Sequence, residues 1–206
     1  MNDYREYVIK DGIFIGRFEE MYRDCDDPWE QTRDVMNNYQ KMATVASMYR
    51  FGFKRVLEIG CGLGHFTHFL ETALPDCHFI GMDISETAIN KARLSFPNTE
   101  YVVGNIANPD IIDRYVGGCD AMLFTEIMWY ILDDLDDIIK HLKSEYRGKH
   151  ILINQTFYPS GQQEYGKEFF TTPEEMVKYF DMDLIEMVNA YDKDGCHGSH
   201  VVLRVE

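Results

Sequence analysis

Three glycines spaced two apart behind a carboxylate are the first residues whose types and spacing suggest chemistry: Glu58-Ile59-Gly60-Cys61-Gly62-Leu63-Gly64. A short apolar run from Val56 leads into them, and a helical pattern starts at His65. The physical reading is a buried strand, a tight turn and a helix start. Glycine admits positive φ and lets a ligand lie against the main chain. The helix start offers N–H groups to a carboxylate or phosphate. A second acid, Asp83, ends the strand-like run His78 to Met82. It follows at about the twenty-residue distance at which such folds set a carboxylate on a ribose diol. The dinucleotide fingerprint G-x-G-x-x-G is not met, because its third glycine falls on His65.

Such residues need elements to position them. From Lys54 the pattern alternates strand and helix, as for a parallel sheet covered on both faces. Strands are expected at Arg55–Ile59, His78–Met82, Glu100–Val103, Ala121–Phe124, His150–Asn154, Leu184–Ala190 and His200–Val205. Helices are expected at His65–Ala73, Glu86–Ser95 behind a Ser85 cap, Asp110–Tyr115, from Asp133 or Asp134 to Lys143, and from Thr172-Pro173. The segment starting Tyr191-Asp192-Lys193-Asp194-Gly195 marks the last two strands as an antiparallel hairpin. Ahead of this core, Asp27 can cap and Pro28 can open a helix whose apolar residues Val35, Met36, Tyr39, Met42, Ala43, Ala46 and Tyr49 recur at three-to-four spacing to about Arg50. The reading is one domain, with a helical cap over residues 1–52 and a core over 53–206.

Ligands of open α/β sheets bind beyond the carboxyl ends of the strands. That rule selects Gly60 to Gly64, Asp83, Asn105 with Ile106, Thr125 to Tyr130, Asn154 to Phe170, and the residues around Cys196 to His200. Ile84, directly after Asp83, joins them.

Composition narrows the function. The 206 residues carry 35 acidic against 20 basic side chains, a net charge of −15, with no basic run. A protein tracking a nucleic-acid backbone needs clustered Lys and Arg, so no nucleic-acid partner is expected. No apolar run approaches the ~20 residues of a membrane span, and the polar start is no signal peptide. The five cysteines are odd in number and scattered, which reads as reduced thiols in a cytoplasmic protein.

The loop Leu57 to Gly64, taken with Gly81-Met82-Asp83-Ile84-Ser85, resembles the first two motifs of class I S-adenosylmethionine-dependent methyltransferases. Adding Asp26-Asp27-Pro28-Trp29 and Thr125-Glu126-Ile127-Met128-Trp129-Tyr130-Ile131-Leu132-Asp133, the chain is similar to the nodulation-protein-S-like methyltransferases over roughly residues 20 to 140. The resemblance implies a Rossmann-like, seven-stranded, mostly parallel sheet. It implies S-adenosylmethionine as cofactor and S-adenosylhomocysteine as product. It places Glu58, Gly60, Cys61, Gly62, Gly64, Asp83, Ile84, Asn105, Ile106 and Thr125 around that cofactor, with Asp83 on the ribose. Asn105 stands where the family usually carries Asp against the adenine amine, and its side-chain oxygen can still accept.

On the acceptor side, Glu126 is the leading candidate for a catalytic group. His197 and His200 are candidate bases at the active-site end of the hairpin. Cys196 with these two histidines lacks a fourth ligand, so no metal is expected. Trp29, Arg33, Tyr130, Asn154, Gln162 and Tyr165 supply rings, amides and a planar cation, a set suited to a sugar. The expected activity is methyl transfer to a small polar acceptor, a sugar or sugar-nucleotide hydroxyl first. A sugar amine, a non-sugar metabolite and a non-catalytic cofactor-binding subunit are the alternatives, and a nucleic-acid methyltransferase ranks third among the readings.

Overall fold

The structure, a computed structural model, describes residues 4–32, 38–191 and 197–206. Two short strands, β1 (Ile9–Lys10) and β2 (Ile13–Phe14), pair antiparallel and lead into α1 (Phe18–Asp24) and α2 (Tyr39–Phe51). The alternating core follows: β3 (Arg55–Ile59), α3 (His65–Ala73), β4 (His78–Asp83), α4 (Glu86–Ser95), β5 (Glu100–Val103), α5 (Pro109–Val116), β6 (Ala121–Thr125), α6 (Leu135–Glu145) and β7 (His150–Phe157). It closes with α7 (Pro173–Phe180), β8 (Asp183–Tyr191) and β9 (His197–Arg204).

The seven core strands stand in the order β5-β4-β3-β6-β7-β9-β8. The pairs among β3 to β7 are parallel, and β9 is antiparallel to both β7 and β8. Adjacent residues of β3 point to opposite faces, as a pleated strand requires. Val56 packs with Phe79, Leu123, Leu152 and Val202 under Met48 of α2 and Phe66 and Leu70 of α3. Leu57 packs with Ile80, Met122, Ile151 and Val201 under α5, α6 and α7. The caps act as their sequences suggest: Ser85 Oγ accepts from Ala88 N, and Thr172 Oγ1 accepts from Glu175 N with Pro173 next.

Three expectations are corrected. The helix does not run on from Pro28. Asp27 does cap, its carboxylate accepting from Gln31 N at 2.7 Å and Thr32 N at 3.0 Å, but Glu30 turns left-handed at φ 51° and ends the turn. A second cap, Asn38, whose side chain accepts from Lys41 N, starts α2. Nor does α2 bury the face its apolar spacing suggests. Tyr39 and Tyr49 are about 80% exposed, and the buried residues are Gln40, Thr44, Ser47 and Met48. The sheet beneath explains this, since it presents Asn154, Glu186 and His200, groups that polar side chains must satisfy. Finally, β7 extends three residues past Asn154, because β9 pairs with it as far as Phe157–His197.

Candidate functional site

A cavity of about 480 Å³ opens beyond the carboxyl ends of the parallel strands, within the ~300–1,000 Å³ usual for small-molecule sites. On one side it is lined by Gly60, Asp83, Ile84, Asn105 and Ile106; on the other by Lys41, Glu126, Gln155 and Thr156. Rings of Tyr4, Phe14, Phe18, Trp29 and Tyr130 wall its outer part. Trp29 lies 4.7 Å from Tyr4 and 5.8 Å from Tyr130 between centroids, and Tyr130 lies 5.3 Å from Phe18.

The glycine loop is fixed by its own geometry. Gly60 has φ 79°, and a Cβ there would collide with Ile127, so the turn after β3 tolerates only glycine. Gly62 has φ 55°, and a Cβ there would lie 2.7 Å from the amide atoms of Gln31. The N–H groups of the loop itself are used within the protein, ahead of the helix start at His65. Gly60 N and Cys61 N donate to Met82 O, and Gly62 N donates to Asp83 Oδ2 at 2.9 Å. Leu63 N donates to Gln31 Oε1 at 2.7 Å, and Gly64 N donates to Cys61 O. Glu58 lies beneath the loop rather than at the cavity, accepting from Thr67 Oγ1 of α3 at 2.6 Å, and burial raises its carboxyl.

Asp83 is nine-tenths buried at the cavity wall and accepts from Gly62 N and, at 2.9 Å, from Ser85 N. Burial pushes its carboxyl up to about 6 against those bonds. Asn105 Oδ1 accepts from Ala107 N at 2.9 Å, leaving its second lone pair.

Glu126 sits at φ 56° directly after β6. Its Oε1 accepts from Gln40 Nε2 and, at 2.8 Å, from Thr156 Oγ1; its Oε2 accepts from Thr156 N at 2.9 Å and Gln155 Nε2 at 3.3 Å. Burial raises this carboxyl, while the Thr156 bonds, the Lys41 charge and Gln40 pull it back.

The structure brings Trp29, Gly60, Asp83, Ile84, Asn105, Ile106, Thr125, Glu126 and Tyr130 to this one cavity. Gln162 and Tyr165 line an adjoining chamber of about 230 Å³ that shares Tyr4, Trp129, Tyr130 and Tyr158 with it. Cys61, Gly62 and Gly64 do not line the wall: Gln31 lies over Cys61 and Gly62, and Tyr101 over Gly64. Arg33 and Cys196 lie outside the described residues. His200 and Asn154 are not at the cavity. Both are fully buried on the opposite face, where His200 Nδ1 lies 3.0 Å from Asn154 Oδ1 and from Thr44 Oγ1, and His200 Nε2 2.9 Å from Ser47 Oγ. His197 stacks between Phe157 and Tyr191, away from the cavity wall.

Sequence reasoning missed Gln155 by one position. Successive β7 residues alternate faces, so Asn154 turns to α2 and Gln155 turns to Glu126; the alternation Ile151, Ile153 against Leu152 carried that signal. Gln31, Gln40, Lys41 and Thr156 had no comparable signal.

Residues 57–145 match a family described as a methyltransferase domain. The malonyl-[acyl-carrier protein] O-methyltransferase of Bacillus anthracis is 27% identical over 123 residues, 59% of this chain and 44% of that protein. The trans-aconitate 2-methyltransferase of Afipia carboxidovorans is 30% identical over 89 residues, 43% of this chain and 32% of that protein. The chain spans less than half the length of these curated relatives. Among solved structures, the N-methyltransferase NodS from Bradyrhizobium japonicum WM9, in complex with S-adenosyl-L-homocysteine, superposes with a TM-score of 0.67 at 16% identity, covering 92% of this chain and 97% of that one. The fold is that of class I S-adenosylmethionine-dependent methyltransferases, and the part of the chain that carries the glycine loop matches a methyltransferase domain. In fold the chain is NodS-like.

Proposed function

We propose that this protein transfers the methyl group of S-adenosylmethionine to an amine of a small polar acceptor, a sugar being the class its amides and rings suit best. The observation that carries this reading is one cavity joining a ribose-type acid, Asp83, to a carboxylate that is already fully coordinated, Glu126. The residues fit the cofactor. Asp83 has acceptor capacity left for a diol, Ile84 and Ile106 offer apolar contact beside Asn105, and Gly60 admits close approach of a ligand. Bound there, the cofactor supplies an electrophilic methyl group on a sulfonium. The protein's part is to hold and desolvate the acceptor in line with it.

Glu126 decides between acceptors. A carboxylate has about four lone-pair sites, and Glu126 already receives four donors. It has no site left for the proton of a hydroxyl. Both candidate histidines are off the cavity, so the hydroxyl, which needs a base, falls behind the amine, which needs only to arrive deprotonated. An acidic acceptor is disfavoured because Asp83, Glu126 and Asp134 face Lys41 alone among the described charged groups of the lining.

The test is release of S-adenosylhomocysteine with amino sugars and with their hydroxyl counterparts. Turnover with the amines, rising with pH as the amine deprotonates, is expected. Turnover with the hydroxyl sugars alone overturns the choice of atom. Cofactor binding with no product from any acceptor places the protein among non-catalytic binders.

A further inference from the structure

We propose that Gln31 occupies the seat of the cofactor's amino-acid headgroup and is exchanged for it when the cofactor binds. This rests on the cofactor reading above. Gln31 Oε1 accepts from Leu63 N at 2.7 Å, and its Nε2 donates to Cys61 O at 3.3 Å. One primary amide thus satisfies one donor and one acceptor of the loop. An α-amino acid offers the same complement, a carboxylate that accepts and an ammonium that donates. The seat is shielded by this side chain: Gln31 lines the cavity, whereas Cys61 and Gly62 behind it do not.

Gln31 is held in place by a short strap. Asp27 Oδ1 accepts from Gln31 N at 2.7 Å, and Asp27 Oδ2 accepts from Thr32 N and, at 2.7 Å, from Thr32 Oγ1. Between these residues Trp29 stands in the ring wall against Tyr4 and Tyr130. These bonds hold the Gln31 backbone, so its side chain can leave the loop by rotating about its own torsions while the turn stays in place.

An internal competitor weakens the ligand it competes with. Two net hydrogen bonds, less the ordering of the side chain, are worth about 1.4 kcal/mol, a factor of ten in the equilibrium. The apparent affinity of a ligand falls by the fraction of protein in which its seat is free. A ligand without the amino-acid headgroup does not need the seat and escapes this cost.

Calorimetric titration of wild type and Gln31→Ala with S-adenosylhomocysteine and with 5′-methylthioadenosine, its analogue lacking the headgroup, tests the inference. Gln31→Ala should bind S-adenosylhomocysteine about tenfold more tightly and methylthioadenosine with unchanged affinity. Gln31→Asn, too short to reach Leu63 N, should behave as the alanine variant and guards against a folding artefact. Weaker or unchanged binding of S-adenosylhomocysteine by both variants overturns the exchange, as does equal tightening for both ligands. If wild type binds neither ligand, the cofactor reading itself fails, a result visible without any variant.

Discussion

Asp83 shows how much one residue can carry. The acid was legible because it ends a strand about twenty residues after a glycine loop, and the structure adds what spacing could not contain, its burial. The carboxyl of the free protein stands at about 6, and only its ionised form accepts from two hydroxyls. Affinity for S-adenosylhomocysteine should therefore be level above about pH 7 and fall as pH drops through 6, by at most about tenfold per unit. Binding near pH 6 should release a proton, detectable by calorimetry in buffers of different ionisation enthalpy. Asp83→Asn should weaken binding and flatten the profile; a wild-type profile already flat from pH 5 to 8 would remove Asp83 from the ribose. Its neighbours show where residue-level reading stops. Glu126 was found by strand-end position, but its four donors come from α2 and β7, segments remote in sequence, so its saturation could not be read from spacing.

At the scale of elements, α2 is the informative failure. Its apolar residues recur with helical period, yet the stripe it buries is Gln40, Thr44 and Ser47. Periodicity reports which face is apolar, not which face the sheet requires, and this sheet presents buried polar groups. Ser47 Oγ donates to Glu186 Oε1 at 2.6 Å and lies 2.9 Å from His200 Nε2, and Arg50 closes the chain on Glu186. Ser47, His200 and Asn154 have the spacing of a nucleophile, base and orienting group, but they are fully buried and none lines either of the two chambers described above, so the arrangement holds α2 to the sheet. Burial lowers His200 to about 4 from its ordinary 6.5. The unfolded chain binds that proton first, so this residue's contribution is complete above pH 6.5 and is lost as pH falls towards 4, by up to roughly 3 kcal/mol. Asp83 acts in the opposite sense between its ordinary 3.8 and 6, since its raised carboxyl binds a proton in the folded state first. Subtracting the pH profile of His200→Gln from that of wild type, both by urea denaturation, removes the Asp83 contribution. The difference should slope upward with pH between 4 and 6.5; a level difference would mean His200 titrates normally.

At the scale of the whole molecule, the site lies where the sheet order reverses, with β3 flanked by β4 on one side and β6 on the other, the position at which open α/β sheets bind ligands. That much was legible because strand–helix alternation from Lys54 onward is strong and local. The insertion of β9 between β7 and β8 was less so, since strand order across a hairpin is decided by the partners rather than by either strand's own residues. The site therefore gathers the ends of β3 to β7, the β1–α1 segment and α2, so a cofactor bound there bridges parts of the chain that must all be folded. A ligand at one hundred times its Kd adds about 2.7 kcal/mol to the folded state, which in a chain of this length raises Tm by roughly 5–10 °C. S-adenosylhomocysteine should produce that shift in wild type. Asp83→Ala should lose most of it at the same ligand concentration. His200→Gln should start from a lower Tm and keep the full shift, because its hydrogen bonds lie on the far side of the sheet from the cavity. A shift lost in His200→Gln as well would show that the α2 seam is coupled to the site through Gln40 and Glu126, and that the two faces of the sheet do not act independently.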